Sequence, residues 1–141
     1  MSEENVQLVR EGLAAMEQAD VETLLEQAHP EIEWVNPDYA VEPGTRHGLA
    51  GYRKAIEATH DSFEELRFDA EEILDLDDRV VVTGVFSARG KGSGAEIKQR
   101  FGNVFTIKDV KVIRMEWYND AAQAYAAAGA AGGVRQSDVA S

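Results

Sequence analysis

The stretch Gln99-Arg100-Phe101-Gly102-Asn103-Val104-Phe105-Thr106-Ile107-Lys108-Asp109-Val110-Lys111-Val112-Ile113-Arg114-Met115-Glu116-Trp117-Tyr118-Asn119-Asp120 decides how this chain folds. It holds two runs rich in β-branched and aromatic residues, separated by a polar break at residues 108–111. Taking Asp109-Val110 as a two-residue hairpin turn sets Lys108 opposite Lys111, and the remaining partners follow by counting. Phe105 then faces Arg114, Asn103 faces Glu116, Phe101 faces Tyr118 and Gln99 faces Asp120, all on one face of the sheet. That face is apolar at one end and polar at the other. Burying so many polar groups unpaired would cost about 1–3 kcal/mol each, so the pattern points to a pocket wall rather than a plain core. The opposite face carries Ile113, Met115 and Trp117. A second apolar face on a small sheet predicts a partner copy, hence a homodimer through the sheet. Strand side chains alternate with a period of two, so a slip of one residue exchanges the two faces. Val110 is a poor residue for a primed turn, which favours Gly or Asn.

Upstream, residues 80–88 are a β-branched run and Gly90-Lys91-Gly92-Ser93-Gly94 reads as its hairpin loop. Leu66, Phe68 and Ala70 alternate with Arg67 and Asp69, and residues 75–78 form an acidic turn. The N-terminal third is helical instead. Val6, Val9, Leu13 and Met16 recur at three- and four-residue steps, with Ser2 as a candidate N-cap. Asp20 is placed to cap a second helix that ends at His29-Pro30. Residues 31–36 alternate as a short strand with Ile32, Trp34 and Asn36 on one face, and residues 37–46 read as a loop. A third helix is predicted over about residues 49–64, with Leu49, Tyr52, Ile56, His60 and Phe63 as its inward stripe. Downstream, Asp120 is placed to cap a short Ala-rich helix that stops at Gly129. Helices first and antiparallel strands after make this an α+β chain. Residues 1–131 form a single domain in this reading, and residues 132–141 a flexible C-terminal tail.

Composition bounds the function. The chain has 141 residues, 14 Lys+Arg against 26 Asp+Glu, a net charge of −12 and no cysteine. One domain with a real core fits that length. The acidic balance argues against nucleic acid and anionic membranes as partners. Zero Cys excludes disulfides, thiolate catalysis and Cys-ligated metal. The acidic N-terminus does not read as a secretory signal and no apolar run approaches a membrane span, so a cytoplasmic protein is expected. Three scattered His without an inward acidic cluster predict no metal site, and no cofactor is expected. The glycine loop lacks the Lys-Ser/Thr and the helix of a phosphate loop.

The segments Asn5-Val6-Gln7-Leu8-Val9-Arg10, Ile32-Glu33-Trp34, Arg46-His47-Gly48-Leu49-Ala50-Gly51, Asp78-Arg79-Val80-Val81-Val82 and Arg114-Met115-Glu116-Trp117-Tyr118-Asn119-Asp120 resemble the SnoaL-like group of the nuclear transport factor 2-like superfamily. The resemblance spans about residues 3–130. It implies a cone-shaped α+β barrel, a strongly curved antiparallel sheet wrapped around N-terminal helices, and often a homodimer packed through the sheet. The superfamily holds polyketide cyclases, steroid isomerases, epoxide hydrolases, dehydratases and non-enzymes. Its steroid isomerases use a base Asp with a Tyr and a protonated Asp as oxyanion donors. The positions that correspond here hold Asn36, before Pro37, then Gly12 and Asn103. An amide takes up no proton at neutral pH, so the resemblance argues against that mechanism. The Arg-x-Asp pair of the epoxide hydrolases is absent from the residue 95–107 strand. For the polyketide cyclase type, an Asp base with a nearby His, Asp120 and His60 or His47 match by type.

Two functional readings follow. In the first, a cofactor-independent general acid–base enzyme acts on a small hydrophobic carbonyl compound, by isomerase, cyclase or hydratase-type chemistry. Asp120 is its base, Asn103 its hydrogen-bond donor and His60 its proton shuttle. Trp34, Asn36, Tyr52, Phe101, Arg114, Glu116 and Tyr118 are the candidate substrate-binding residues. In the second, the same fold is a non-catalytic module that binds a small hydrophobic ligand or dimerises. Each candidate also has a structural reading: Asp120 as a helix cap, Arg114 with Glu116 as an ion pair holding the sheet, His60 as a core histidine, and the aromatic residues as core. His47 is also a candidate cap for the third helix.

Overall fold

The computed structural model describes residues 2–37 and 43–129. The tail expected over 132–141 lies outside the described residues. Four helices and six strands follow in the order α1 (Ser2–Glu17), α2 (Val21–Gln27), β1 (Ala28–Asn36), β2 (Gly44–His47), α3 (Gly48–Ser62), β3 (Phe63–Asp75), β4 (Arg79–Gly90), β5 (Glu96–Lys108), β6 (Lys111–Tyr118) and α4 (Ala121–Ala127). The strands form one unclosed sheet in the order β2-β1-β6-β5-β4-β3. All neighbours are antiparallel except β1 and β6, which run parallel. The α+β class and the cone-like arrangement of helices against a curved sheet agree with the sequence reading. The single parallel pair and the open edge refine it.

Local chemistry explains the element ends. The Asp20 side chain accepts from Thr23 N at 3.2 Å and from the Thr23 hydroxyl at 2.7 Å, capping α2 as its position predicted. Those hydrogen bonds hold its carboxyl below the usual range. Strand β1 begins three residues earlier than expected and runs through Pro30. Its pairing with β6 is irregular between Ala28 and Glu33, which is where a residue without an N–H is tolerated. Part of the expected loop at 37–46 is strand β2, whose Arg46 sits opposite Trp34. Helix α1 starts at Ser2 itself, and α3 ends at Ser62, so Phe63 opens β3 instead of closing the helical stripe. Leu49, expected on the buried stripe, is 39% exposed, while Tyr52 and Ile56 are buried.

The hairpin between β5 and β6 contains the main correction. Asp109 and Val110 have φ of 56° and 60° and make the two-residue turn that the count assumed. Lys108 faces Lys111 and Ile107 faces Val112 as expected. Thr106 then faces Arg114, so Ile113 is an extra residue, a β-bulge. From there on every partner moves by one. Phe105 faces Met115, Val104 faces Glu116, Asn103 faces Trp117 and Gly102 faces Tyr118. The expected pairs Phe105–Arg114, Asn103–Glu116 and Phe101–Tyr118 therefore do not form. Met115 and Trp117 turn toward the concave side and join the core, while Arg114, Glu116 and Tyr118 turn to the convex side.

Two cores result. The concave one packs α1, α2 and α3 onto the sheet through Val9, Met16, Leu24, Tyr52, Ile56, Val80, Val82, Phe101 and Met115. A smaller convex one places Ala124, Tyr125 and Ala128, at and just beyond α4, on Val81 and Val104. The Tyr125 hydroxyl donates to Glu72, and Arg79 Nη1 donates to the Ala128 carbonyl at 2.8 Å. The part of the sheet around Val81 and Val104 is thus covered by this chain's own helix. Among the described residues the large hydrophobics most exposed are Leu49 and Val110, both away from that surface. The apolar basis expected for a dimer through Ile113, Met115 and Trp117 is absent, because the bulge turns Met115 and Trp117 inward.

Candidate functional site

A cavity of about 570 Å3 opens between the concave sheet and α3. Its sheet wall is aromatic, with Trp34 from β1, Phe63 and Phe68 from β3, Phe86 from β4 and Trp117 from β6. Alternation along each strand brings these rings to one side. Cross-strand pairing then sets Phe68 opposite Phe86. The ring centroids of Phe68 lie 5.2 Å from Phe86 and 5.9 Å from Trp117, and Phe86 meets Trp117 edge-on at 6.2 Å. Such a tilted cluster is the favoured packing of aromatic quadrupoles. The facing wall is α3, which presents Ala55, Ala58, Thr59 and Ser62 at helical spacing. Small residues on that face leave the space open.

Polar groups ring the mouth: Asn36, Arg46, Gln99 and Asn119. Trp34 Nε1 donates to Asn36 Oδ1 at 3.0 Å, so the indole fixes which end of the amide accepts. The Thr59 hydroxyl donates to the Ala55 carbonyl at 3.0 Å, which leaves its oxygen only as an acceptor. Among the described lining residues there is no Asp, Glu or His, and Arg46 is the one charged group.

The residues singled out from sequence fall in separate places. Trp34 and Asn36 line the cavity. Tyr52 is buried beside Trp34, ring centroids 5.9 Å apart, and burial pushes its hydroxyl above the ordinary tyrosine range. Phe101 lies beneath the cavity floor, its ring 5.6 Å from Phe68 and 5.9 Å from Trp117. Asn103 is also buried, 2% exposed, with its Oδ1 without a hydrogen-bond partner. Asp120 caps α4, accepting from Gln123 N at 2.8 Å and from Gln123 Nε2 at 3.1 Å. His60 lies toward α1 at the end of α3. Burial lowers its pKa, offset in part by a hydrogen bond to the Met16 backbone, with Lys91 lowering it and Asp61 raising it further. Its Nε2 is buried without a partner. Asp120, Asn103 and His60 are therefore not gathered around one open space, and none of the three lines the cavity.

Arg114 and Glu116 take the structural reading on the convex face. Arg114 bridges Glu33 on β1 and Glu116 two residues along its own strand, the latter at 3.3 Å. Glu116 also accepts from the Tyr118 hydroxyl at 2.6 Å. His47 does not cap α3 through its side chain; its Nδ1 lies 3.5 Å from Glu33. This chain of contacts clamps β2, β1 and β6 together, including the parallel pair. Tyr118 contributes to the rim of the cavity at the strand end while its ring packs toward α4. Among the described residues, no group of three or more His, Asp or Glu side chains is placed to hold a metal ion. No helix among them is long and apolar enough to cross a membrane.

Sequence reasoning missed Trp117, Phe68, Phe86 and the small face of α3 as cavity walls. Alternation already grouped Phe68 with the buried side of its strand. Trp117 carried no such signal, because only the bulge at Ile113 turns it inward.

Comparison with known proteins places this geometry. Residues 9–115 match the family model described as SnoaL-like domain. No curated protein matches the chain. Among solved structures, TerC co-crystallised with polyporic acid is 28% identical, over 83% of this chain and 92% of that one, with a TM-score of 0.73. A nuclear transport factor 2-like protein from Burkholderia xenovorans LB400 is 26% identical over 90% and 97% of the two chains, TM-score 0.73. A putative SnoaL-like polyketide cyclase from Jannaschia sp. CCS1 is 18% identical over 83% and 85%, with a TM-score of 0.75, a likeness of fold alone.

Proposed function

We propose that this chain, which belongs to the SnoaL-like domain family, binds a small hydrophobic, ring-bearing molecule in the cavity between its aromatic sheet wall and α3. The observation that carries the reading is the lining: five aromatic rings, a facing wall of small residues and a polar rim, in a volume suited to one small molecule. The co-crystal of TerC with polyporic acid, at 28% identity, supports a small organic ligand. Of the two functional readings, ligand binding is favoured over general acid–base catalysis. A base must come within hydrogen-bond reach of the proton it takes, and no carboxylate or imidazole is among the described lining residues. Asp120 would have to leave its cap to serve as one. Self-association through the sheet would have to use the polar convex surface around Glu33 and Arg114, and sedimentation at micromolar concentration reads it directly.

Both tryptophans of the chain line the cavity, so intrinsic fluorescence reports on it. Titration with 2-naphthol is expected to change that fluorescence saturably. Ala58→Phe, which adds a ring on the α3 wall, is expected to weaken binding at least about tenfold with the fold retained. Equal binding by Ala58→Phe and the unaltered protein would refute the site. Turnover of a carbonyl substrate that disappears in Asp120→Asn would favour the enzymatic reading instead.

A further inference from the structure

The geometry points to a second binding site, on the convex face of the sheet and separate from the cavity, that takes a small phosphate-class dianion between Arg67 and Lys98. A cleft of about 510 Å3 lies there across β3, β4 and β5, and among the described residues no helix borders it. Strand alternation shows which side chains reach it. Phe68 and Phe86 face each other and line the concave cavity. Arg67 and Ser87, one position away on each strand and themselves paired, therefore turn to the convex side. Lys98 is the partner of Ser87 on β5. The row reads cation, hydroxyl, cation across three strands. Neighbouring strands lie about 4.8 Å apart, so the Arg67 and Lys98 backbones stand roughly 10 Å from each other with the Ser87 hydroxyl between them.

The charges decide what the row can bind. The cleft holds Arg67, Arg89 and Lys98 against Glu65 and Glu96. Both carboxylates belong with Arg89: Glu65 lies 3.3 Å from its Nε, and Glu96 is its direct cross-strand partner. In the next row on that face, Arg100 is held by Glu71 at 2.6 Å. Asp69, two residues from Arg67, is not within ion-pair distance of it. Arg67 and Lys98 thus have no ion-pair partner among the described residues, in a chain of net charge −12. Two unmatched cations flanking an O–H are complemented by an anion with two charges and several acceptor oxygens, which is the chemistry of phosphate. A monovalent carboxylate matches only half of it.

The test is titration of the full chain with inorganic phosphate, and separately with acetate, followed by backbone amide NMR shifts at constant ionic strength. Phosphate is expected to shift the amides of residues 67, 87 and 98 saturably, and acetate to bind more weakly. Lys98→Gln and Arg67→Gln are each expected to weaken phosphate binding by roughly 2- to 5-fold, the range of exposed charge pairs. Arg100→Gln removes the same unit of charge from the same face but from a cation already paired with Glu71, and is expected to leave binding unchanged. All three side chains are exposed, so the variants are expected to fold. Shifts that do not saturate, equal binding of acetate and phosphate, or an equal loss in Arg100→Gln and Lys98→Gln would each overturn the site, leaving only diffuse screening of surface charge. The proposal is independent of the cavity: the 2-naphthol response is expected to be the same with and without phosphate, and failure of 2-naphthol to bind leaves this site standing.

Discussion

The Trp34 indole N–H donates to the Asn36 side-chain oxygen across 3.0 Å on the same face of β1. Asn36 is the residue before Pro37, at the mouth of the cavity. Its amide is held by a neighbour two positions back, so the orientation of a rim group is set by a wall residue. Trp34 is 6% exposed and also packs on Tyr52.

Trp34→Phe removes the donor and part of the ring together. It is expected to lower stability by about 2–4 kcal/mol, from lost burial and the residual cavity plus one unmade hydrogen bond. Urea unfolding measures this. A loss below about 0.5 kcal/mol would show that the wall repacks without the indole.

Asp120→Ala is expected to cost about 0.5–2 kcal/mol, because the N-terminal amides of α4 lose their acceptor. Asp120→Asn should restore most of that, since Asn also caps, and should leave 2-naphthol binding unchanged. Thermal unfolding of the two variants, side by side, reads the difference.

Gly102 is the contact point between β5 and α4. A Cβ there would stand 2.7 Å from the Ala124 Cβ and 2.9 Å from the Asp120 carbonyl oxygen. Gly102→Ala is expected to cost about 1–3 kcal/mol and to increase amide exchange across residues 121–127 more than across α3. Equal exchange in both helices would show that α4 does not depend on this approach.

Val110 holds a φ of 60° at a turn tip while 62% exposed. A β-branched residue in the left-handed region is strained by about 1–2 kcal/mol. Val110→Gly relieves the strain but adds freedom to the unfolded chain. A net gain of about 0.5–1 kcal/mol is expected in chemical denaturation. A loss would mean that the valine makes contacts that outweigh its backbone.

His60 has a pKa lowered from its ordinary 6.5, chiefly by burial. The unfolded chain therefore binds the proton more readily than the folded one. The neutral imidazole contributes stability that is present above about pH 6.5 and declines as pH falls toward the lowered folded value. In His60→Gln this component of the pH dependence is expected to vanish between pH 7 and 5, as read by the difference in unfolding free energy between the two proteins. Parallel curves over that interval would refute it.

Much of the fold is legible without coordinates because local signals agree with it. Asp20 and Asp120 sit where a cap belongs and do cap. Asp109-Val110 is the two-residue turn that counting requires, even though Val is unfavoured there. The small strand β2 was hidden, because Gly44 and the preceding proline read as loop and only pairing with β1 makes residues 44–47 a strand. Leu49 shows the converse. It continues a helical stripe by spacing, yet lies in the first turn of α3 and stays exposed.

The cavity was legible in kind and wrong in its walls. An apolar and polar mixture on β5 and β6 does mark the region, but Arg114 and Glu116 line the opposite side. One extra residue at Ile113 accounts for this. With a side-chain period of two, a bulge of one residue inverts every position beyond it. Nothing in the composition around Ile113 announces the bulge.

What the sequence determined by itself was the class of fold, the family, the caps, the turn and the supply of aromatic residues, all of which depend on neighbours a few positions apart. Only the tertiary structure decided which side of the sheet Trp117 faces and which side Glu116 faces. It also decided that α4 covers Val81 and Val104, and that Asn103 is left buried with its acceptor unmet. Those outcomes depend on pairing between strands far apart in the chain, where a register shift of one residue outweighs any local preference.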